Sequence, residues 1–423
     1  MYSFCDIIEN CTLPKTYFSV GERLFLNMGP LKGPKRLRFA LLLGALAAMG
    51  PLTIDMYLPS FPTIVGAFDT TATFVQVSLT ACLLGIGLGQ LILGPMSDVH
   101  GRKKPLLIAL VIYFIASILC VFSPNIGFFI AARFMQGFAA SAGIVISRAI
   151  VRDLYSGREL TKFFALLMLI NNLAPILAPV LGGGILAFTE WTGIFAVLSA
   201  IGFLLFVIVL WRMDESLPEQ MRVPSNLSHT LKNFLSLLKN RQFMGYALAQ
   251  GFIMAGIFAY VAGTPFVYQN IYGVSPQTFS LLFGMNGIGL IIGSQIVGRL
   301  TGVVSEKRFL ETGLFISISS GAFLLIAVLL NGPLVTIVVP IFFFVGSIGV
   351  IATASFSLAM ESQGHIAGSA SALLGLLPFI LGAITAPLVG IAGEETAIPM
   401  GAIIFSSALI AVLSYFGLAR KKV

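Results

Sequence analysis

Charge is scarce in this chain. Asp, Glu, Lys and Arg make up only 10% of its 423 residues, too few to cover the surface of a soluble protein of that length. Histidine and cysteine are almost as rare, with 3 and 4 copies, and none are grouped at metal-ligand spacing. Cys5 and Cys11 fall in an N-terminal tail, whereas Cys82 and Cys120 fall in apolar stretches and read as small apolar residues. No glycine-rich phosphate loop is present, so no nucleotide-driven machine is indicated. No cluster of nucleophile and base is present either, which argues against an enzyme. No cofactor and no metal is expected.

What fills the chain is apolar sequence, 57% of all residues. Stretches of about 20 apolar residues recur, each long enough to cross a hydrocarbon core of roughly 30 Å. In lipid each span must satisfy its own backbone groups, so the spans should be helices; the short alternating segments of a β-barrel are not visible. The expected fold is all-α, with about twelve membrane spans. They lie near 39–64, 75–94, 105–122, 126–148, 161–186, 191–211, 243–265, 279–300, 309–329, 333–358, 366–391 and 397–418.

The basic residues test this map. Nearly all of the 25 Lys and Arg fall before span one, in every second loop, or after the last span; Arg133, inside span four, is the exception. The opposite loops carry only Asp69, Glu190, Glu394 and Glu395. Both termini are therefore expected in the cytoplasm of a cell-membrane protein. The formal charge of +8 reflects topology rather than a nucleic-acid partner.

Four regions are expected: a disordered tail 1–38, a six-helix half 39–212, a cytoplasmic connection 213–240, and a second half 241–423 with a short basic end. Translation from Met28 is an expectation for the tail. In the connection, Leu231, Phe234, Leu235 and Leu238 share one helical face, which predicts an amphipathic helix on the membrane surface; the alternative is a solvated linker. Gly85-Ile-Gly-Leu88 recurs as Gly287-Ile-Gly-Leu290, an offset of 287 − 85 = 202, which fits a parallel repeat of two halves.

Span two is followed by Gly94-Pro-Met-Ser-Asp98-Val-His-Gly101-Arg102-Lys103-Lys104. The glycines permit a tight turn, and Asp98 is a charge at the membrane boundary beside basic partners. The pattern G-x-x-x-D-x-x-G-R-K in this loop resembles the signature of the major facilitator superfamily. The resemblance implies that Asp98, Arg102 and Asp153 form a charge network latching the halves in an outward-open state. Lys103 belongs to the same motif, and Lys104 reads as a topology signal. The loop after span eight, Gly298 to Gly302, lacks the acid.

Two ionisable residues sit inside spans, where a charge costs at least about 2.5 kcal/mol. Asp55 lies in Thr53-Ile-Asp-Met-Tyr-Leu-Pro59, a run that resembles the drug:proton antiporters, specifically the bicyclomycin/chloramphenicol-resistance group. That resemblance implies a role in proton and substrate coupling; the alternative is an acid capping a broken helix. Arg133 opens Arg-Phe-Met-Gln136-Gly137, similar to the family's R-x-x-x-G motif in span four. Arginine keeps its proton, so its expected job is to bias a nearby carboxylate; the alternative is pairing with backbone carbonyls.

Span five carries Asn171-Asn172-Leu-Ala-Pro175-Ile-Leu-Ala-Pro179, then Gly182-Gly183. It is similar to the antiporter motif, with Ala-Pro in place of Gly-Pro. Each proline frees a carbonyl four residues earlier, and the glycines admit a close neighbour, which predicts a kinked, leak-tight seam. Tyr57, Gln136, Asn171, Asn172, Gln250, Tyr260, Tyr268 and Asn286 are candidates for a substrate cavity between the halves. The expected function is export of small drug-like molecules in exchange for protons, by a monomer whose partners are substrate, protons and lipid. Transport of a sugar or amino-acid derivative and a non-transporting receptor are the alternatives.

Overall fold

The computed structural model describes residues 34–155, 157–222, 234–300, 302–361, 363 and 367–419. Residues 1–33 of the expected tail, with Cys5, Cys11 and Met28, lie outside these residues, and its last part, 34–38, is helical rather than disordered because it continues into the first span. Long helices dominate. In the first half they are α1 Pro34–Asp55, α2 Ala72–His100, α3 Lys103–Val121, α4 Ile126–Leu154, α5 Gly157–Ile185 and α6 Trp191–Arg212. In the second they are α7 Arg241–Phe266, α8 Pro276–Leu300, α9 Glu306–Leu329, α10 Leu334–Met360, α11 Ala367–Leu388 and α12 Ile398–Ser414. Among the described residues, 11 helices are long and apolar enough to cross a membrane, and α5 adds the apolar stretch Leu173–Ile185. Helices α2 and α4 outrun their apolar stretches by about a turn, because hydropathy measures the lipid crossing whereas the helix continues into water.

One span is broken. Helix α1 stops at Asp55, a 3-10 turn covers Leu58–Ser60, and a short helix Phe61–Ala67 resumes. Pro59 and Pro62 explain the break, since each lacks an N–H and clashes with the carbonyl four residues before it. For Pro59 that residue is Asp55.

The packing repeats after six helices. In the first half α2 packs on α4, α3 on α4 and α6, and α1 on α4 and α5. Their counterparts α8 on α10, α9 on α10 and α12, and α7 on α10 and α11 pack the same way. The halves meet along two seams, α2 against α11 and α5 against α8, which exchange under the same six-helix step. The glycine repeat seen in the sequence is nevertheless out of register. Gly87 faces Leu376 and Phe379 of the other half, and it is Gly287, not Gly289, that faces the other half at Ile176. By contact the offset is 287 − 87 = 200, because two residues carry a helix about half a turn round to the opposite face and a four-letter match does not fix which face is shared.

In the connection, residues 234–239 are helical. Leu237 is buried there and Phe234 packs beside the core, while Leu235 and Leu238 stay about half exposed at 51% and 49%. Leu231 lies outside the described residues, so the four-residue stripe is seen only in part.

Helices α1 and α5 touch backbone to backbone at the break. A Cβ on Gly182 would strike the carbonyl oxygen of Met56, and neither atom has a flexible neighbour to move aside. Gly182→Val is expected to destabilise the fold by ~1–3 kcal/mol through overpacking. A thermal melt of the detergent-purified variant equal to wild type would refute this.

Candidate functional site

Arg133 is fully buried in α4, and among the described residues both of its terminal nitrogens are paired without a carboxylate, while its Nε has no partner. Its Nη2 donates to the Thr53 carbonyl at 2.8 Å. Thr53 lies in the last turn of α1, where carbonyls lack intrahelical partners. Its Nη1 donates to Gln136 Oε1. Gln136 Nε2 donates to Ser117 Oγ at 2.8 Å, Ser117 Oγ to the Tyr113 carbonyl at 2.7 Å, and the Tyr113 hydroxyl meets Thr53 Oγ1 at 2.9 Å. The chain of bonds returns to Thr53 and ties α1, α3 and α4 together. The guanidinium also lies over the Tyr57 ring, 4.1 Å from its centroid. Of the two roles open in the sequence, pairing with backbone carbonyls is the one this geometry displays.

Asp55 is 6% exposed. No ion pair joins it to Arg133, and it has no hydrogen-bond partner among the described residues. The turn that follows it contacts α5, α7 and α8, so the acid sits where the two halves meet, within electrostatic range of Tyr260. On the second half's side of that interface Asn286 Nδ2 donates to the Tyr260 hydroxyl at 2.9 Å, and Tyr260 stacks on Phe283 at 4.9 Å. The other amide end of Asn286, the Tyr268 hydroxyl and Gln250 Oε1 are buried without partners among the described residues. Tyr57 reaches Ser78 Oγ at 3.4 Å. Tyr57, Gln136, Tyr260, Tyr268 and Asn286 are thus buried in this conformation, Gln250 is partly so, and the side chains of Asn171 and Asn172 lie outside the described residues.

At the end of the bundle that bears the basic loops, Arg102 is 3% exposed and joins Asp98, Ser97 and Asp153, with its Nε 2.8 Å from Asp153 Oδ2. Gly101 makes the turn at φ +84°. Gly94 does not: it lies inside α2, which runs on to His100 before turning. Lys103 Nζ donates to the Leu210 carbonyl at 3.1 Å. The resemblance implied a latch between halves in an outward-open state; in the present conformation every described partner comes from the first half or the segment after α6. That segment supplies a residue the sequence reading passed over. Glu215 accepts the N–H groups of Arg102 at 2.7 Å, Lys103 at 3.1 Å and Leu217 at 3.0 Å, so it caps α3 from the connection. Its only sequence signal was an acid just beyond a span end.

The halves are joined at the opposite end, which bears the acidic loops. Thr73 donates to the Gly390 carbonyl at 2.9 Å, Gln76 to Ala262 at 3.0 Å and Thr80 to Ala383 at 3.3 Å. From the second half, Gln269 donates to Pro59 at 3.1 Å and Gln277 to Gly183 at 3.4 Å. The Ala383 carbonyl is the one Pro387 frees. Pro175 and Pro179 lie within α5, whose Gly182 meets α1 and whose Gly183 meets Ser280 and Pro276 of α8.

Two substitutions probe these networks. Glu215→Ala removes an acceptor shared by three N–H groups, each bond to a charged group being worth about 1.5–3 kcal/mol. Trypsin should then cut after Arg222 at least about tenfold faster, and unchanged cleavage would contradict the docking of this segment. Arg133→Met orphans the Thr53 carbonyl and Gln136, at about 1–3 kcal/mol each. A thermal melt as high as wild type would show that the bonded ring carries no stability.

Comparison with known proteins agrees with this architecture. The model of the Major Facilitator Superfamily matches residues 41–387. The chain is 55% identical, over 92% of its length and 98% of the relative's, to an uncharacterized MFS-type transporter, YdgK, of Bacillus subtilis. It is 35% identical, over 90% of its length and 96% of the relative's, to a bicyclomycin resistance protein homolog of Haemophilus influenzae. A crystal structure of a bacterial homolog of the lysosomal transporter Spinster superposes with a TM-score of 0.70 at 14% identity, covering 91% of this chain and 96% of that one. A polytopic helical bundle matched over most of its length by this family is a multi-pass transporter of the cell membrane: the chain belongs to the Major Facilitator Superfamily, in its bicyclomycin- and chloramphenicol-resistance group.

Proposed function

We propose that this transporter exports small drug-like molecules in exchange for protons, with Asp55 as the proton-carrying acid. One observation carries this reading: a carboxyl group buried at the interface of the halves, with no cation and no hydrogen-bond donor beside it among the described residues. An ionised carboxylate stripped of water and partners is strongly penalised. The present conformation therefore suits the proton-bearing acid, and a conformation that lets water reach Asp55 suits the ionised one. Coupling of proton to conformation follows from that difference alone.

The basic loops set the orientation, with both termini in the cytoplasm and the acidic loops outside. On that orientation the hydrogen bonds from Thr73 to Gln277 seal the outer face. Rocking of the halves would break them and close the cytoplasmic end. The Arg102–Asp98–Asp153 network, with Glu215, keeps the first half and its connection rigid through that motion. The Tyr260–Phe283 stack and the half-paired Asn286 offer a flat apolar wall with polar edges, suited to a moderately lipophilic molecule. A membrane potential of 100 mV supplies about 2.3 kcal/mol per inward proton. The relative named for bicyclomycin resistance supports an antibiotic as cargo.

An efflux-deficient host expressing the wild type should tolerate more antibiotic, bicyclomycin among those tried. Asp55→Asn should remove most of the gain, by about tenfold in a dose that reads transport, equivalent to ~1.4 kcal/mol. Full resistance with the variant would take Asp55 out of the mechanism. Flux in liposomes that ignores an imposed pH gradient and voltage would overturn proton exchange itself.

A further inference from the structure

We propose that Glu394 is a second protonatable group of the transport cycle, a clasp across the two halves at the acidic end that holds best when it carries a proton. Glu394 lies in the turn between α11 and α12, beside a cavity of about 670 Å³ between the halves. Thr70, Thr71 and Ala72 line that cavity from the first half, and Asn270, Glu394 and Glu395 line it from the second.

The carboxyl group makes two bonds of different kinds. Asn270 Nδ2, at the end of α7, donates to Oε2 at 2.6 Å. The backbone N–H of Ala72, the first residue of α2, also donates to it. Thr71, which precedes α2, makes no side-chain cap. The helix start is thus capped from the opposite half. Thr73 and Gln76, one turn further on, make their own bonds across the same seam. Glu394 therefore sits at the rim of the seal, where the halves separate first.

The surroundings fix the direction of the pH response. Glu395 lines the same cavity, and the loops that bring Thr70 and Asn270 to it also carry Asp69 and Tyr272. The loops at this end hold no Lys or Arg. Burial, with no cation to offset it, outweighs the bonds from Asn270 and Ala72 and holds the Glu394 carboxyl above the usual glutamate range. When the halves part, the group meets water and returns to that range. The closed form consequently binds the proton more tightly. Its advantage is complete in acid below the ordinary glutamate range, and it is lost as pH rises through the elevated value. A protonated carboxyl keeps a carbonyl oxygen, so the bond from Ala72 survives protonation. On the antiport reading, a proton arriving from outside would help shut the outer door behind it. The clasp itself requires only the seam geometry and not that reading.

The test uses the full chain in detergent with Asp55→Asn already introduced, so that the membrane acid contributes nothing. Spin labels at Phe188→Cys and Leu330→Cys, both highly exposed at 91% and 76%, report the separation of the halves by pulsed resonance. With Glu394 present, the short-distance fraction should rise between pH 8 and pH 5. Glu394→Gln, which mimics the neutral group, should keep a high short-distance fraction at both pH values. Glu394→Ala should lower the fraction and flatten the response. A pH response that persists unchanged in Glu394→Gln, or its absence with Glu394 in place, overturns the proposal. Drug flux abolished by Asp55→Asn alongside a flat distance response would sink the clasp while leaving the antiport reading intact.

Discussion

The break in α1 is the feature on which the site depends. Two prolines forbid the helix to continue past Asp55, and the carbonyls of its last turn are left without partners inside the bundle. In lipid such groups cannot turn to water. Arg133 answers one of them, at Thr53, and the cost of burying its charge is offset by Gln136 and by the face of Tyr57. With the break held open, Met56 presents its carbonyl to Gly182 of α5, and the turn that follows Asp55 meets α7 and α8. An unbroken helix would satisfy its own carbonyls, and neither the acid nor the arginine would have reason to be where it is.

The bonds at the two ends of the bundle differ in kind, and the difference suits the parts that move. The charged groups of the basic end, Arg102, Asp98, Asp153 and Glu215, bind one half to itself and to its connection. Between the halves, apart from the Glu394 carboxyl at the rim, stand uncharged donors on backbone carbonyls, several of them orphaned at helix ends or by proline. A neutral hydrogen bond is worth about 1 kcal/mol net, because water replaces it when it breaks. A seam of such bonds can part and reform, whereas charge-assisted bonds of the Arg102 type are about twice as strong. Within each half, by contrast, glycines bring backbones into contact and leave no slack.

The spans, their number and the alternation of basic and acidic loops were legible in the sequence because lipid constrains length and charge directly. The charged motif was legible too, since few residues can sit at that boundary. What could not be read is contact across helices. The repeated Gly-Ile-Gly-Leu suggested an offset of 202, yet Gly87 and Gly287 share the face that meets the other half; sequence similarity carries no angle. Glu215 looked like any acid after a span, and only the fold brings it to the start of α3. Gly94 looked like a turn residue because the apolar stretch ends there, but helix propensity carries α2 on to Gly101. The pairing of Arg133 with a backbone carbonyl depended on a helix ending two residues after Thr53, and a list of spans does not predict that.

The separation of Asp55 from Arg133 bears on how a proton could be coupled to motion. Both residues belong to the first half, one on α1 and one on α4. If the halves rock as rigid bodies, the distance between these two residues does not change, and a salt bridge between them would be equally strong in both conformations. Such a bridge could not distinguish one state from the other. What does change is the second half's contribution: the wall of Tyr260, Phe266 and Asn286 that now covers the α1 break. Water reaches the acid only when that wall withdraws. On the proposed antiport, the energetic difference between states would lie in solvation of Asp55 rather than in attraction to Arg133, and the arginine's part would be to hold the α1 break at the interface while the opposite half comes and goes.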